Sequence, residues 1–209
     1  MTVYARPPEL RIVDPDDDTV LSLAPIQGLW TEEQYLAMTE HSTRLLEFDN
    51  GYIEVLPMPI PEHQKILGVL YELFVAFVRP KGGITLFAPL RVQIRPRKFR
   101  EPDLVVLRDA SDPRQQQRYW LGVDLAVEIV SDDDPERDTK TKRIDYGEAG
   151  IPEYWIVNPL DDTITVLVLE GETYAEHGVF RRGERADSSL FAGLSVNVDA
   201  VFDAKGQHS

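Results

Sequence analysis

The chain has 209 residues, no cysteine and a formal net charge of −14, from 22 basic and 36 acidic residues. The lack of cysteine excludes disulfides, thiolate zinc sites and cysteine nucleophiles, and the negative charge argues against non-specific attachment to nucleic acid, because the summed field repels phosphate. No run approaches the roughly 18 apolar residues that span a membrane, and the N-terminus lacks the apolar core of a signal peptide. These two observations predict a cytoplasmic protein with no membrane contact. The length predicts one large domain.

Residues 1–25 are predicted to form an extended N-terminal arm. They contain four prolines and the acidic run "DPDDD", a composition that disfavours regular packing. The remainder contains no internal repeat or low-complexity tract. Residues 26–205 are therefore predicted to form a single α/β domain.

Local signals predict a helix, a hairpin and a second helix in the first half of this domain. Thr31 and Gln34 match the capping box that begins a helix at "WTEEQYLAM". "DNG" lies between two strand-like runs and is a strong hairpin signal. Apolar residues then recur at helical spacing from about residue 62 to 78, which predicts a long amphipathic helix.

The second half of the chain predicts a mixed sheet. "ITLFAPLRVQI" has the pattern of a strand that is bent or interrupted at Pro89, and "PDLVVL" and "DLAVEIV" are two further strands joined by a polar loop. A helix follows from about residue 135 to 150, with Asp134 as its N-cap and Gly150 as its stop. The strand "EYWIVNP" and a β meander come next. A strand, helix, strand order implies parallel neighbours joined by a right-handed crossover, so the sequence predicts an α/β sandwich around a mixed central sheet.

One glutamate stands inside an apolar strand and requires a partner. Glu128 interrupts the run from Leu125 to Val130, and a strand this apolar is typically buried on both faces. A buried glutamate is protonated, paired with a cation such as arginine, or bound to a metal. The position of Glu128 therefore indicates a site with special chemistry.

A second acid begins the neighbouring predicted strand. If the two strands pair in register, Asp103 and Glu128 project their carboxylates toward one point. Two carboxylates, a backbone carbonyl such as that of Ile129, and water suit Mg²⁺ or Mn²⁺, which prefer oxygen ligands. Such an ion lowers the pKa of a bound water and stabilises charge that develops on a phosphate oxygen.

A lysine near such a site orients the attacking water or neutralises the phosphate. Lys140 and Lys142 both lie on the predicted helix after the Glu128 strand. Lys142 is the preferred candidate because Asp138 and Tyr146 stand four residues to either side of it, on the same helix face. A solvated helix face explains either lysine alone equally well.

The basic residues cluster in one segment of this acidic chain. "RVQIRPRKFR" precedes "EPDLVVL" and contains Arg95, Arg97, Lys98 and Arg100. These four residues are predicted to contact the phosphates of a nucleic acid substrate. A solvated hairpin tip that balances nearby acids is at least as good an interpretation of the charge pattern.

Several stretches in order resemble the Uma-two family, described as putative restriction endonucleases of the PD-(D/E)XK nuclease superfamily. They are "LLEFDNGYIEVLPMPIPEHQKI", "EPDLVVL", "LAVEIVSDDDPERDTKTKRIDYGEAGIPEYWIVNP" and "FAGLSVNV", and they cover roughly residues 30 to 200. The resemblance implies a restriction-endonuclease-like fold, a mixed central sheet flanked by helices with additional β-hairpins. It also implies DNA as substrate and a homodimer as the assembly.

The resemblance assigns roles to particular residues. It implies that Asp103 and Glu128 are the two metal-binding acids of the superfamily signature. Val130 stands where that signature has its lysine, so the catalytic lysine is expected to have moved to Lys142 on the following helix. Glu47 and His63 also match family positions and, with Tyr146, are expected to be auxiliary residues of the site. From the sequence alone, a histidine that caps the start of a helix is more often structural, so that alternative stays open for His63.

Two functions are consistent with these residues. The first is a metal-dependent endonuclease that hydrolyses DNA through Asp103, Glu128 and Lys142. The alternative is a catalytically inactive nuclease-fold module that binds protein or nucleic acid. The net charge favours the alternative, whereas a retained buried acid pair with a lysine favours the enzyme.

Overall fold

The computed structural model describes residues 10–13 and 20–206. Its α-helices are α1 (Glu32–His41), α2 (Pro61–Val78), α3 (Lys142–Glu148) and α4 (Val198–Gly206). Its strands are β1 (Arg11–Val13), β2 (Val20–Ser22), β3 (Leu46–Asp49), β4 (Tyr52–Val55), β5 (Ile84–Phe87), β6 (Val92–Arg95), β7 (Lys98–Arg100), β8 (Leu104–Leu107), β9 (Leu125–Ile129), β10 (Glu153–Asn158), β11 (Thr163–Glu170), β12 (Thr173–Phe180), β13 (Arg185–Asp187) and β14 (Ser195–Asn197). No helix in these ranges is long and apolar enough to cross a membrane.

A six-stranded sheet forms the centre of the molecule, in the order β12-β11-β10-β9-β8-β5. Strands β9 and β10 are parallel, whereas the other neighbours in this sheet are antiparallel. A second sheet of four antiparallel strands has the order β4-β3-β7-β6. The predicted mixed sheet with flanking helices and extra hairpins is therefore confirmed.

Side chains of the central sheet alternate between two hydrophobic layers. Leu104, Val106, Leu125 and Val127 pack in the same cluster as the buried residues of α2 and α4. The residues between them along the same strands pack in the cluster that contains Tyr146 of α3. Because successive strand residues point to opposite faces, Glu128 lies on the α3 side of the sheet.

Local sequence signals explain two of the elements around the site. Thr31 and Gln34 form the predicted capping box at the start of α1. The β3–β4 hairpin turns at Asn50 and Gly51, which have φ values of 49° and 94°. Positive φ at both central residues is what a type I′ turn requires, and Asn-Gly is its preferred pair.

Two elements differ from the prediction. The interruption predicted at Pro89 is present, but the two halves, β5 and β6, belong to different sheets and do not form one strand. The helix expected from residue 135 contains a π-helical segment, Arg137–Thr141, before α3 begins. Neither β7 nor α4 was anticipated.

The predicted N-terminal arm is described only in part. Strands β1 and β2 pair antiparallel, with Arg11 opposite Ser22, and a short 3-10 helix, Ala24–Ile26, follows. Residues 1–9 and the acidic run at 14–18 lie outside the described residues.

Candidate active site

A cavity of about 370 Å³ opens where strand β9 ends. Apolar side chains at residues 56–60 and 159–160 form part of its wall. The charged and polar side chains that line the rest include His63, Glu101, Asp103, Glu128, Arg137, Asp138 and Lys142. Three of the residues predicted for catalysis, Asp103, Glu128 and Lys142, therefore face one space.

The β-sheet register brings Asp103 and Glu128 together. Strands β8 and β9 are antiparallel, with Leu104 opposite Val127, so the next pair outward is Asp103 and Glu128. The Oδ2 atom of Asp103 accepts a hydrogen bond of 2.7 Å from the backbone N–H of Ile129. This bond fixes the Asp103 carboxylate beside the end of β9.

His63, at the start of α2, pairs with Asp103. Its Nε2 atom lies 3.1 Å from Asp103 Oδ2. Burial opposes the charge on both groups, but their mutual contact outweighs it, so the pKa of Asp103 is lowered and the pKa of His63 is raised. The Nδ1 atom of His63 is buried and contacts no hydrogen-bonding partner among the described residues.

Glu128 is held by two side chains of the helix that covers the sheet. The hydroxyl of Tyr146 donates to its Oε1 atom, and the ammonium of Lys142 lies 2.8 Å from its Oε2 atom. Burial raises the pKa of Glu128 well above its ordinary value; Lys142 opposes this shift, and the charges of Asp103 and Asp138 reinforce it. Burial is therefore the main obstacle to a charged Glu128, and Lys142 offsets only part of it.

Lys142 also contacts a third carboxylate. Its ammonium lies 3.0 Å from Asp138 Oδ1, so the predicted pairing at four-residue spacing is present. Burial opposes the charge of Lys142, but Asp138 and Glu128 outweigh it and raise the pKa of the amine. Lys140, the other lysine considered, is exposed and pairs with Glu136 at 2.6 Å.

Glu47 lies behind the cavity in a buried ionic network. It is completely buried, and its Oε2 atom accepts from Arg137 and, at 2.8 Å, from Arg100. Burial opposes its ionisation, but Arg137 and Arg100 outweigh burial and lower the pKa of Glu47 to about 2. Glu47 thus holds two cations in place and does not itself line the cavity.

The four basic residues predicted to contact phosphate do not form one exposed surface, and none of them lines the cavity. Lys98 and Arg100 are each 6% exposed, and both bind Asp145. In this structure these two cations face Asp145 and not solvent, and the prediction that they contact phosphate stays a prediction. Arg95 is half-buried and pairs with carboxylates, whereas Arg97 is exposed.

Glu101 is a cavity residue that was not anticipated. It is 5% exposed, and its Oε2 atom contacts no hydrogen-bonding partner among the described residues. Burial, reinforced by the charge of Glu47, raises the pKa of Glu101 to about 8. The sequence contained a signal for it, because Glu101 stands two residues before Asp103 in an extended segment, where side chains alternate.

The donor set is rich in oxygen and short of cations. Carboxylates of Glu101, Asp103, Glu128 and Asp138 line the cavity. Such ligands suit Mg²⁺ or Mn²⁺, which complete their shells with water. In the part of the chain that the structure describes, no three His, Cys, Asp or Glu side chains form a ready-made metal cluster, so two carboxylates with backbone and water oxygens are the set that fits.

Comparisons with known proteins identify one family and one fold. A family model described as "Uma2: Putative restriction endonuclease" matches residues 32–199. The chain is also similar to a crystal structure from Anabaena variabilis, described as a putative nuclease belonging to DUF820, with a TM-score of 0.70 and 19% identity over 84% of this chain and 99% of that chain. This likeness shows the fold. A search of curated proteins found no match.

Proposed function

The chain belongs to the Uma2 family, and from this membership we propose that it is a divalent-metal-dependent endonuclease that hydrolyses phosphodiester bonds in DNA. One observation above all supports the proposal. Asp103 and Glu128 stand opposite each other at the end of an antiparallel strand pair, on the same cavity as Lys142. This is the arrangement that two carboxylates and a lysine need to act on one phosphate.

The proposed roles follow from the contacts of each side chain. Asp103, Glu128 and the backbone carbonyl of Ile129 would hold Mg²⁺ or Mn²⁺. When bound, the ion supplies an acidified water and a positive charge beside the phosphate. Lys142 would orient that water or neutralise the phosphate, because its amine is the nearest cation to Glu128.

Neighbouring residues would position the metal ligands and Lys142. His63 fixes the Asp103 carboxylate from the α2 side, and Tyr146 fixes Glu128 from the α3 side. Glu47 holds Arg137 at the wall of the cavity. Arg95 and Arg97 remain the proposed phosphate contacts outside the cavity.

The proposal includes a homodimer because a nuclease that cuts a duplex must cleave both strands. Two copies would supply one site to each strand. The proposed unit of each copy is residues 26–205, with the N-terminal arm as an extension. Sedimentation of the purified protein tests this part independently of activity.

Plasmid cleavage tests the proposed activity. Supercoiled DNA incubated with the protein and Mg²⁺ or Mn²⁺ is expected to become nicked or linear, and Glu128→Ala is expected to abolish the reaction. Glu136→Ala is the matched control, because Glu136 is an exposed acid near the same helix. The proposal fails if wild type leaves DNA intact with both metals, or if Glu128→Ala cleaves as well as wild type.

A binding module without activity is the second candidate. The net charge of −14 favours it, because the summed field repels phosphate. The inward pairing of Lys98 and Arg100 also favours it, because it takes two cations away from the surface. A thermal melt separates metal binding from cleavage: Mn²⁺ is expected to raise the melting temperature of wild type and not of Asp103→Asn. Metal binding without cleavage of any DNA or RNA would establish the module.

A further inference from the structure

The ammonium of Lys142 occupies a position between two carboxylates. It lies 2.8 Å from Glu128 Oε2 and 3.0 Å from Asp138 Oδ1. All three side chains are at most 6% exposed. Water therefore does little to screen the attraction, and the amine is a resident cation of the carboxylate cluster.

This arrangement conflicts with simultaneous metal binding at Glu128. A divalent cation on the Glu128 carboxylate would lie beside the Lys142 ammonium, and two neighbouring positive charges repel strongly in a buried site. A bound cation would therefore weaken the contact between Lys142 and Glu128. The amine then needs another carboxylate if it is to stay in the cavity.

We propose that Asp138 is a positioning residue that retains the Lys142 ammonium at the cavity when a divalent cation takes Glu128. The inference takes one element from the proposed function, which is that Glu128 is a metal ligand. The amine and the metal are alternative partners of Glu128, and Asp138 is the partner that the amine keeps. Lys142 thus remains next to the phosphate site after the exchange.

The backbone around Asp138 is fixed in a way that suits this role. Asp138 belongs to the π-helical segment Arg137–Thr141, and π-helical turns are frequent at functional sites. Its carbonyl oxygen accepts a hydrogen bond of 2.8 Å from Tyr154. The preceding residue, Arg137, binds Glu47 and Glu54. An anchored carboxylate can hold an amine that changes its other partner.

Mn²⁺ binding measured by calorimetry, with no nucleic acid present, tests the exchange. We expect Asp138→Asn to weaken Mn²⁺ binding about tenfold, because Lys142 then has Glu128 as its remaining acidic contact and competes more strongly. We expect Lys142→Met to tighten binding about tenfold, because the competing cation is gone. In the double variant, the loss caused by Asp138→Asn is expected to shrink to the smaller effect of removing one nearby negative charge.

The double variant separates positioning from direct ligation. If Asp138 were itself a metal ligand, Asp138→Asn would weaken Mn²⁺ binding equally with and without Lys142, since independent effects add. If Asp138 were only structural, the single variant would bind Mn²⁺ as wild type does. Either result overturns the proposal, and so does a wild type that binds no Mn²⁺. Lys140→Met, an exposed lysine of the same helix, is expected to leave binding unchanged.

A second measurement covers the case in which Lys142→Met does not fold. The Nζ signal of Lys142 in a nitrogen-proton NMR spectrum is expected to shift on addition of Mg²⁺ in wild type and to broaden beyond detection in Asp138→Asn with Mg²⁺. If the Nζ signal of Lys142 does not shift when Mg²⁺ is added, the proposed exchange of Lys142 for a metal ion at Glu128 is wrong. Both measurements omit DNA, so they succeed or fail independently of cleavage.

Discussion

Replacement of Glu47 by glutamine tests whether the buried ionic network behind the cavity stabilises the fold. Glu47 is completely buried, and Arg100 and Arg137 both donate to its carboxylate. Glutamine keeps the size of the side chain and removes its charge. The two guanidinium groups then lose the anion that compensates them, which is costly in a buried site.

The size of the effect follows from the pKa of Glu47. Its pKa is lowered from an ordinary value of 4.5 to about 2, and each unit corresponds to about 1.4 kcal/mol. The charge of Glu47 thus contributes about 3 kcal/mol to the free energy of unfolding at pH 7. A lowered carboxylate pKa stabilises above the unfolded value, and this stabilisation is lost as the pH falls through the folded value. At pH 3 about 1 kcal/mol remains.

Urea unfolding of both proteins at several pH values measures this contribution. The difference between wild type and Glu47→Gln is expected to be about 3 kcal/mol at pH 7 and to shrink below pH 4.5. Glu54→Gln is the matched control, because Glu54 binds the same Arg137 but is 43% exposed, and exposed pairs contribute about 1 kcal/mol or less. A Glu47→Gln loss below about 1 kcal/mol at pH 7, or a loss that does not change with pH, would refute the reasoning.

Three further substitutions test other parts of the structure. Tyr146→Phe leaves Glu128 Oε1 without its donor and is expected to cost about 1–3 kcal/mol in urea unfolding; an unchanged midpoint would show that the hydroxyl bond is unimportant. Gly51→Ala, where φ is 94° and the added Cβ would lie 2.3 Å from a backbone oxygen, is expected to cost more in thermal unfolding than Gly171→Ala, where φ is 66° in open space; equal losses would contradict this. Arg97→Ala, at an exposed position, is expected to change the free energy of unfolding by less than about 0.5 kcal/mol and to raise KM for DNA, and an unchanged KM would exclude Arg97 from the substrate surface.

Much of the fold was predictable because its signals are local. The capping box at Thr31 and the Asn50–Gly51 turn depend on residues within four positions of each other, and both formed as predicted. The parallel β9 and β10 strands followed from the strand, helix, strand order. Glu128 stood out because a single charge in an apolar strand is conspicuous.

The remaining features depend on partners far away in the sequence. Lys98 and Arg100 turn inward because both bind Asp145. Asp145 lies 47 and 45 residues further along the chain, so no local sequence pattern shows that pairing. The π-helical segment has the same composition as an ordinary helix start. The side chains of Glu101 and Asp138 lie in the cavity only because two sheets and a helix meet there.

The π-helical segment gives the length of this helix an evolutionary tolerance. A π turn contains one residue more than the α-helix it interrupts, and the turns on either side of it keep their rotational phase. Deletion of one codon between residues 139 and 141 would therefore restore regular helix and leave Arg137 facing Glu47 and Tyr146 facing Glu128. A lineage could gain or lose three nucleotides here and keep both contacts.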